Sequence, residues 1–252
     1  MNLKDFFEEH RKVAVALSGG VDSSYLFCEA VRNGADARAY FVESAFQPPQ
    51  EKLDAEHAAS DIGASDRLTI IRADILSHGE VTANPENRCY YCKKHIFGAI
   101  LRQAAADGYD TVLDGTNASD DPEDRPGKKA LEEMEVLSPL LECGLTKEDI
   151  RRNAREEGLF NWNKPSNACL ATRIPYGEKI TEEKLLRVNG AEEELKALGF
   201  TDLRVRKRGE TGLIQIPEKQ FAKAAAEHES ITKKLSPYFK NIALDLKPRS
   251  SR

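Results

Sequence analysis

Short apolar runs alternate with longer amphipathic stretches through the first half of the chain. Residues 13–17 (Val, Ala, Val, Ala, Leu) are continuously apolar, the pattern of a strand covered on both faces. The same pattern predicts strands over 37–43, 68–72 and 111–113. Helical spacing predicts helices over 22–33, closed by Gly34, over 49–62 and over 93–106. Buried strands separated by helices imply an α/β fold with a doubly wound, mostly parallel sheet. A further helix over 146–157 opens on a threonine cap. Residues 117–129, rich in Asp, Pro and Gly, and residues 161–176 read as loops. After Gly177 the pattern changes to a helix over 182–198, strands over 203–207 and 213–216, a helix over 218–235 and a strand over 242–246. That order, αββαβ, describes a small α+β unit. The expected division is a large domain over 1–176 and a smaller one over 177–252.

Composition narrows the class. A chain that is 40% hydrophobic and 31% charged is an ordinary soluble protein rather than a membrane or disordered one. The net charge of -5 gives no bulk attraction to nucleic acid. No apolar run reaches membrane-spanning length, and the charged start MNLKDFFEEHRK lacks a signal-peptide core. The expected location is the cytoplasm, with no membrane partner. The five cysteines, odd in number, then read as thiols, ligands or catalysts rather than disulfides.

The first apolar strand runs into Ser18, Gly19, Gly20, Val21, Asp22, Ser23 and Ser24, where a helix begins. Two glycines let backbone approach an anion, and the helix start supplies free N–H groups and a positive dipole end. The hydroxyls of Ser18, Ser23 and Ser24 add donors, and Asp22 can hold a magnesium ion against phosphates. No lysine follows at P-loop spacing, so this is not an ordinary P-loop. The plain alternative is a glycine turn capped by an aspartate. Two other stretches suit the same carboxyl edge of the sheet. Gly115, Thr116 and Asn117 follow the fourth strand and fit phosphate or ribose, and Glu43 and Ser44 end the second and fit an adenine edge. The SGGVDSS string resembles the PP-loop of ATP pyrophosphatases, which implies cleavage of ATP to an adenylate and pyrophosphate.

Cys89 and Cys92 form a C-x-x-C just ahead of a predicted helix. The pair can be a redox couple, or half of a zinc site with His95 as a conceivable third ligand. Cys169 stands in a loop of small residues near Arg173, a setting that can lower a thiol pKa. Three thiolates suit a four-iron cluster with one iron left open. Cys28 reads as core and Cys143 as incidental. Arg204 and Arg206 alternate on a predicted strand and so share one face, a fork suited to a phosphate or, alternatively, a solvated basic edge.

The strings NPENRCYYCKK, LDGTNASDD, VLSPLLECGLTKEDIR, NKPSNACLATRIPYGEKIT and LGFTDLRVR, with SGGVDSS, carry a resemblance that runs over nearly the whole chain. Together they resemble the LarE family, ATP-dependent sulfur transferases of nickel-pincer nucleotide synthesis. The resemblance implies that a pyridinium biscarboxylate mononucleotide is adenylylated by ATP with Mg2+ and receives sulfur from a donor. It also implies a homo-hexamer. Family members use either one sacrificial cysteine, matching Cys169, or a [4Fe-4S] cluster on three. The presence of Cys89, Cys92 and Cys169 points to the cluster. By the same resemblance Arg204 and Arg206 take the substrate phosphate and Arg173 an anionic group. Tyr90 and Tyr91 are candidates to stack on the pyridinium ring. The departure is Leu213-Ile214-Gln215, where the family tends to Arg-Ile-Glu. A cluster-bearing tRNA thiolase is the competing reading.

Overall fold

The computed structural model describes residues 2–120, 125–165 and 168–249, the side chain of Arg125 excepted. Asn167, in the loop carrying Cys169, and part of the expected loop over 117–129 lie outside the described residues. The chain forms two compact units, one of Met1–Ile75 and Asn87–Lys164, the other of Leu76–Glu86 and Pro165–Arg252.

The first unit opens with a short helix α1 (Leu3–Glu9), which the sequence reading did not assign, and strand β1 (Lys12–Ala16). Helix α2 (Val21–Arg32), β2 (Asp36–Glu43), α3 (Pro49–Asp61) and β3 (Leu68–Arg72) follow. The short α4 (Gly79–Thr82) belongs to the second unit. Back in the first come α5 (Arg88–Ala106), β4 (Val112–Leu113), α6 (Arg125–Glu133), α7 (Pro139–Glu142) and α8 (Lys147–Glu156). The strands form one parallel sheet in the order β3-β2-β1-β4. Successive side chains of a strand face opposite sides. Val13, Val15, Ala37, Ala39 and Phe41 therefore pack against Phe27 of α2, Ala59 of α3 and Ile150 of α8. Ala14, Tyr40 and Val42 pack on the other face with Phe97 and Ile100 of α5 and Leu131 of α6. Apolar residues on both faces of a strand require helices on both faces of the sheet. Each fully buried large side chain stabilises the fold by about 2 kcal/mol. Strand β1 is central, with β2 on one side and β4 on the other, so the chain reverses direction across the sheet there. Ligands of doubly wound sheets bind at such a point, beyond the carboxyl ends of the strands.

In the first unit the largest boundary differences from the sequence reading are at two helix starts. Helix α5 begins one turn earlier, because Arg88 is buried and anchors the first turn. Cys89 and Cys92 thus lie inside the helix rather than before it. Part of the expected loop over 117–129 is the start of α6.

The second unit contains α9 (Glu182–Ala197), β5 (Arg204–Arg208), β6 (Thr211–Gln215), α10 (Phe221–Ala226), α11 (His228–Leu235) and β7 (Asn241–Leu244). The helix expected over 218–235 is thus two helices that meet at Glu227. Strand β5 pairs antiparallel with β6, and β6 pairs parallel with β7. Leu185, Val188 and Leu195 of α9 are buried, as are Val205 and Ile214 of the sheet. The 76–86 segment is tied into this unit by Asn84, buried and left-handed at φ 56°. Its Nδ2 donates to the carbonyls of Pro175 and Glu178 at 2.7 and 3.2 Å. Among the described residues no helix is long and apolar enough to cross a membrane.

Candidate active site

In the first unit the loop between β1 and α2 is closed by its own hydroxyls. Ser23 Oγ accepts the Ser18 N–H at 3.1 Å, donates to the Gly20 carbonyl at 3.2 Å and lies 3.1 Å from Ser18 Oγ. The loop sits tight against α3. Gly19 has φ 77°, and a Cβ there would stand 2.6 Å from the Glu51 carbonyl oxygen. Only glycine meets both demands. The first-turn N–H groups of α2 have no intrahelical acceptor and face the end of the sheet where an anion would sit.

Asp22 lies in that first turn. Its Oδ2 is ion-paired with Lys147 of α8, and its buried Oδ1 has no hydrogen-bond partner among the described residues. Burial raises the Asp22 pKa, and Lys147 opposes the rise. An orphaned carboxylate oxygen beside an anion-binding helix start is a fitting ligand for a magnesium ion. Lys147 was not singled out from the sequence, although a signal was present. Thr146 and Asp149 form a reciprocal capping box, so Lys147 is the first residue of α8. A cation there opposes the helix dipole, and such a misfit marks a side chain held for another purpose.

The segment after β4 closes the other side. A Cβ on Gly115 would stand 2.9 Å from the Ser23 nitrogen. Asp114 accepts hydrogen bonds from Thr116 Oγ1 at 2.5 Å and Ser138 Oγ at 2.6 Å. Asn117 is buried, its N–H donating to Asp120 and its side-chain oxygen accepting from the Ser119 N–H. These side chains shape the turn that carries Gly115 to the start of α2. Gly115→Ala is therefore expected to push two loops apart, weakening ATP binding at least tenfold with a destabilisation of about 1–3 kcal/mol. Calorimetric titration and a thermal melt read the two effects. At the end of β2, Lys52 and Arg72 hold the Glu43 carboxyl below its ordinary pKa. Ser44 Oγ donates to Gln47 Oε1 at 2.5 Å.

Cys89 and Cys92 stand three apart in the first turn of α5, on one face, as half-buried thiols. The Cys89 sulfur accepts a hydrogen bond from Arg88 at 3.8 Å. Soft sulfur donors at this spacing fit iron. The Tyr90 ring is engaged within the protein. Its hydroxyl donates to Glu133 at 2.7 Å, and Lys94 and Lys129 lie over its face at 5.3 and 6.0 Å.

In the second unit Cys169 caps a 3-10 turn, Leu170–Arg173. Arg173 is fully buried and holds that turn from inside. Its Nε and Nη2 donate to the buried Glu192 at 2.8 and 3.1 Å, and its Nη1 donates to the Ala168 and Cys169 carbonyls. The guanidinium expected to anchor a substrate anion thus makes its hydrogen bonds to protein groups. Glu192 also accepts the Val205 N–H at 3.0 Å, which ties the Cys169 turn to β5.

Arg204 and Arg206 lie on one side of β5, both half-buried. Arg206 donates to Gln215 at 2.7 Å and to the Thr172 carbonyl at 2.5 Å, and Gln215 in turn donates to Asp245 at 2.7 Å. Arg206 therefore meets a neutral amide rather than a carboxylate. Arg204 has no carboxylate partner among the described residues. Burial first, then Arg173, Arg249 and Arg206, push its pKa down to about 10. Arg173 is ion-paired with Glu192 and Arg249 with Asp202, so Arg204 and Arg206 are the cations of this group that carry no ion pair among the described residues.

The model of the asparagine synthase family matches residues 5–119, the stretch with the β1–α2 loop and the turn after β4. A tRNA-specific 2-thiouridylase of Frankia alni is 27% identical over 62% of this chain and 54% of its own length. A Synechocystis protein of uncharacterised role is 39% identical over 87% of this chain and 82% of its own. The pyridinium-3,5-bisthiocarboxylic acid mononucleotide synthase of Lactiplantibacillus plantarum is 32% identical over 94% of this chain and 86% of its own. The chain belongs to the LarE family. Members of the LarE family are ATP-dependent sulfur transferases, and the closed serine-glycine loop above is their PP-loop.

Proposed function

We propose that this chain adenylylates the carboxylates of pyridinium-3,5-biscarboxylic acid mononucleotide and converts them to thiocarboxylates. The observation that carries this reading is the match over 94% of the chain to a synthase named for that product. In the first unit the PP-loop N–H groups and serine hydroxyls take the ATP phosphates, with Gly115, Thr116 and Asn117 closing the site and Glu43 and Ser44 beside the adenine. Asp22 would hold a magnesium ion, which when bound would supply positive charge to offset that of the phosphates. Lys147, paired with Asp22, brings a cation to the same corner.

In the second unit Arg204 and Arg206 take the phosphate of the mononucleotide, and Arg173 braces the turn that presents Cys169. Cys89, Cys92 and Cys169 would hold a [4Fe-4S] cluster, which when bound supplies a sulfide as sulfur nucleophile from an external donor. Adenylylation makes the carboxylate oxygen a leaving group, so attack by sulfur expels AMP. The homo-hexamer implied by the resemblance belongs to this reading too.

Anaerobic incubation with ATP and the biscarboxylate mononucleotide, followed by mass spectrometry, tests the reaction. The expected product gains sulfur in place of oxygen, with AMP and pyrophosphate formed. Salt-dependent tRNA binding with thiolated tRNA as product would replace this reading by a tRNA thiolase. Arg204→Ala and Arg206→Ala are each expected to weaken mononucleotide binding more than tenfold while ATP affinity stays within twofold. Unchanged mononucleotide affinity in both variants would overturn the phosphate assignment.

A further inference from the structure

The PP-loop contains a peptide whose orientation its own residues leave open. The Gly19–Gly20 peptide is flanked by two residues without a Cβ, so local backbone sterics permit either of two orientations half a turn apart. The two orientations differ chemically. A trans peptide points its C=O and N–H in opposite directions. One orientation offers the Gly20 N–H to the phosphate side of the loop. The other offers the Gly19 carbonyl there, an acceptor that repels a phosphate.

The structure holds one of the two. Asn161, 1% exposed, lies far along the chain in the turn after α8. Its Nδ2 donates to the Gly19 carbonyl at 3.1 Å and to Ser24 Oγ at 3.0 Å. The Gly20 N–H therefore points the other way, toward Ser18 Oγ at 3.4 Å, on the side of the serine hydroxyls. Asn161 is itself fixed from its own turn, since its carbonyl accepts the Lys164 N–H at 3.0 Å and Lys164 is ion-paired with the buried Asp54 of α3. A Cβ placed on Gly19 would stand 3.0 Å from the Asp54 Cβ, so this clasp reaches both sides of the same glycine. Among the described residues the buried Asn161 Oδ1 has no hydrogen-bond partner. Packing alone would favour an apolar side chain there, since an orphaned buried oxygen is costly. What the amide contributes is the pair of hydrogen bonds from its nitrogen.

We propose that Asn161 is a positioning residue that locks the Gly19–Gly20 peptide with its N–H toward the ATP phosphates. The proposal rests on the PP-loop being the phosphate site and adds the device that keeps it in the binding form. Asn161→Asp separates the lock from its packing, because a carboxylate has nearly the same shape but offers no donor to the Gly19 carbonyl. Asn161→Ala removes the donor without adding charge. Both variants are expected to bind ATP and inorganic pyrophosphate at least tenfold more weakly, while adenosine, which has no phosphate, binds within twofold of the parent. The KM for ATP should rise by more than kcat falls. A change that only loosens the fold would weaken adenosine and phosphate ligands together, and would overturn the proposal. So would parental pyrophosphate affinity in Asn161→Ala. If Asp22→Ala abolishes ATP cleavage while Asn161→Ala binds pyrophosphate normally, the PP-loop assignment stands and the lock alone is wrong.

Discussion

Asp22→Ala is expected to lower AMP and pyrophosphate formation on the order of a thousandfold while the protein remains folded. The fold should survive because the loop is closed by Ser23 Oγ, not by the carboxylate. An acid in the first turn of a helix contributes only about 0.3–1 kcal/mol through the dipole. The activity should not survive. The buried Oδ1 is the ligand proposed for magnesium, and Oδ2 is the partner of Lys147. Losing both leaves the leaving pyrophosphate without its counter-ion and Lys147 without its tether. Asp22→Asn keeps the shape and removes the charge, so it separates packing from electrostatics. Coupled assay of pyrophosphate with a thermal melt on each variant reads the two effects. If both variants form AMP within tenfold of the parent rate, Asp22 is not the metal ligand. If they release ADP and phosphate, the PP-loop chemistry itself is wrong.

How much of this was legible in the sequence depended on whether a residue acts locally. The strands of the first unit were legible because both faces of each are apolar, and Val13 and Ala14 do pack on opposite sides of the sheet. The PP-loop was legible because glycines and hydroxyls adjacent in sequence are adjacent in space. Asn161 was not legible. It acts on Gly19 across 142 positions, and nothing beside it in the chain marks it. Glu192 was hidden for the same reason. It opens a run of three glutamates in α9 that reads as solvated, and only tertiary structure brings Arg173 and the Val205 N–H to it. The start of α5 was misplaced because the run of Arg, Cys and Tyr from Arg88 shows no clear apolar stripe, and its first turn is set by a buried arginine. The 76–86 segment is joined to the second unit by long-range hydrogen bonds at Thr82 and the left-handed Asn84, which periodicity does not report.

Cys89→Ala, Cys92→Ala and Cys169→Ala, prepared without oxygen, are each expected to lose bound iron and at least a hundredfold in multiple-turnover sulfur transfer. The reasoning starts from where the chain holds these thiols. Cys89 and Cys92 are presented by one rigid helical turn, with the buried Arg88 fixing it. Cys169 opens a turn whose carbonyls are held by Arg173, and the Cys169 carbonyl also accepts from Thr172 Oγ1 at 2.8 Å. Rigid presentation suits a ligand, because ligation needs a fixed direction and not a mobile nucleophile. If the three thiolates hold a cluster, none of them is consumed, and the mass of Cys169 is the same after many turnovers as before. If instead Cys169 gives up its own sulfur, it becomes dehydroalanine and the protein loses hydrogen sulfide, roughly 34 Da, because the thiolate is the donor. Activity then stops after a stoichiometric burst, and Cys89→Ala and Cys92→Ala transfer sulfur as the parent does. Iron and labile sulfide analysis together with intact mass before and after turnover distinguishes the two chemistries. Active Cys89 and Cys92 variants beside a lighter parent protein would replace the cluster with a sacrificial Cys169.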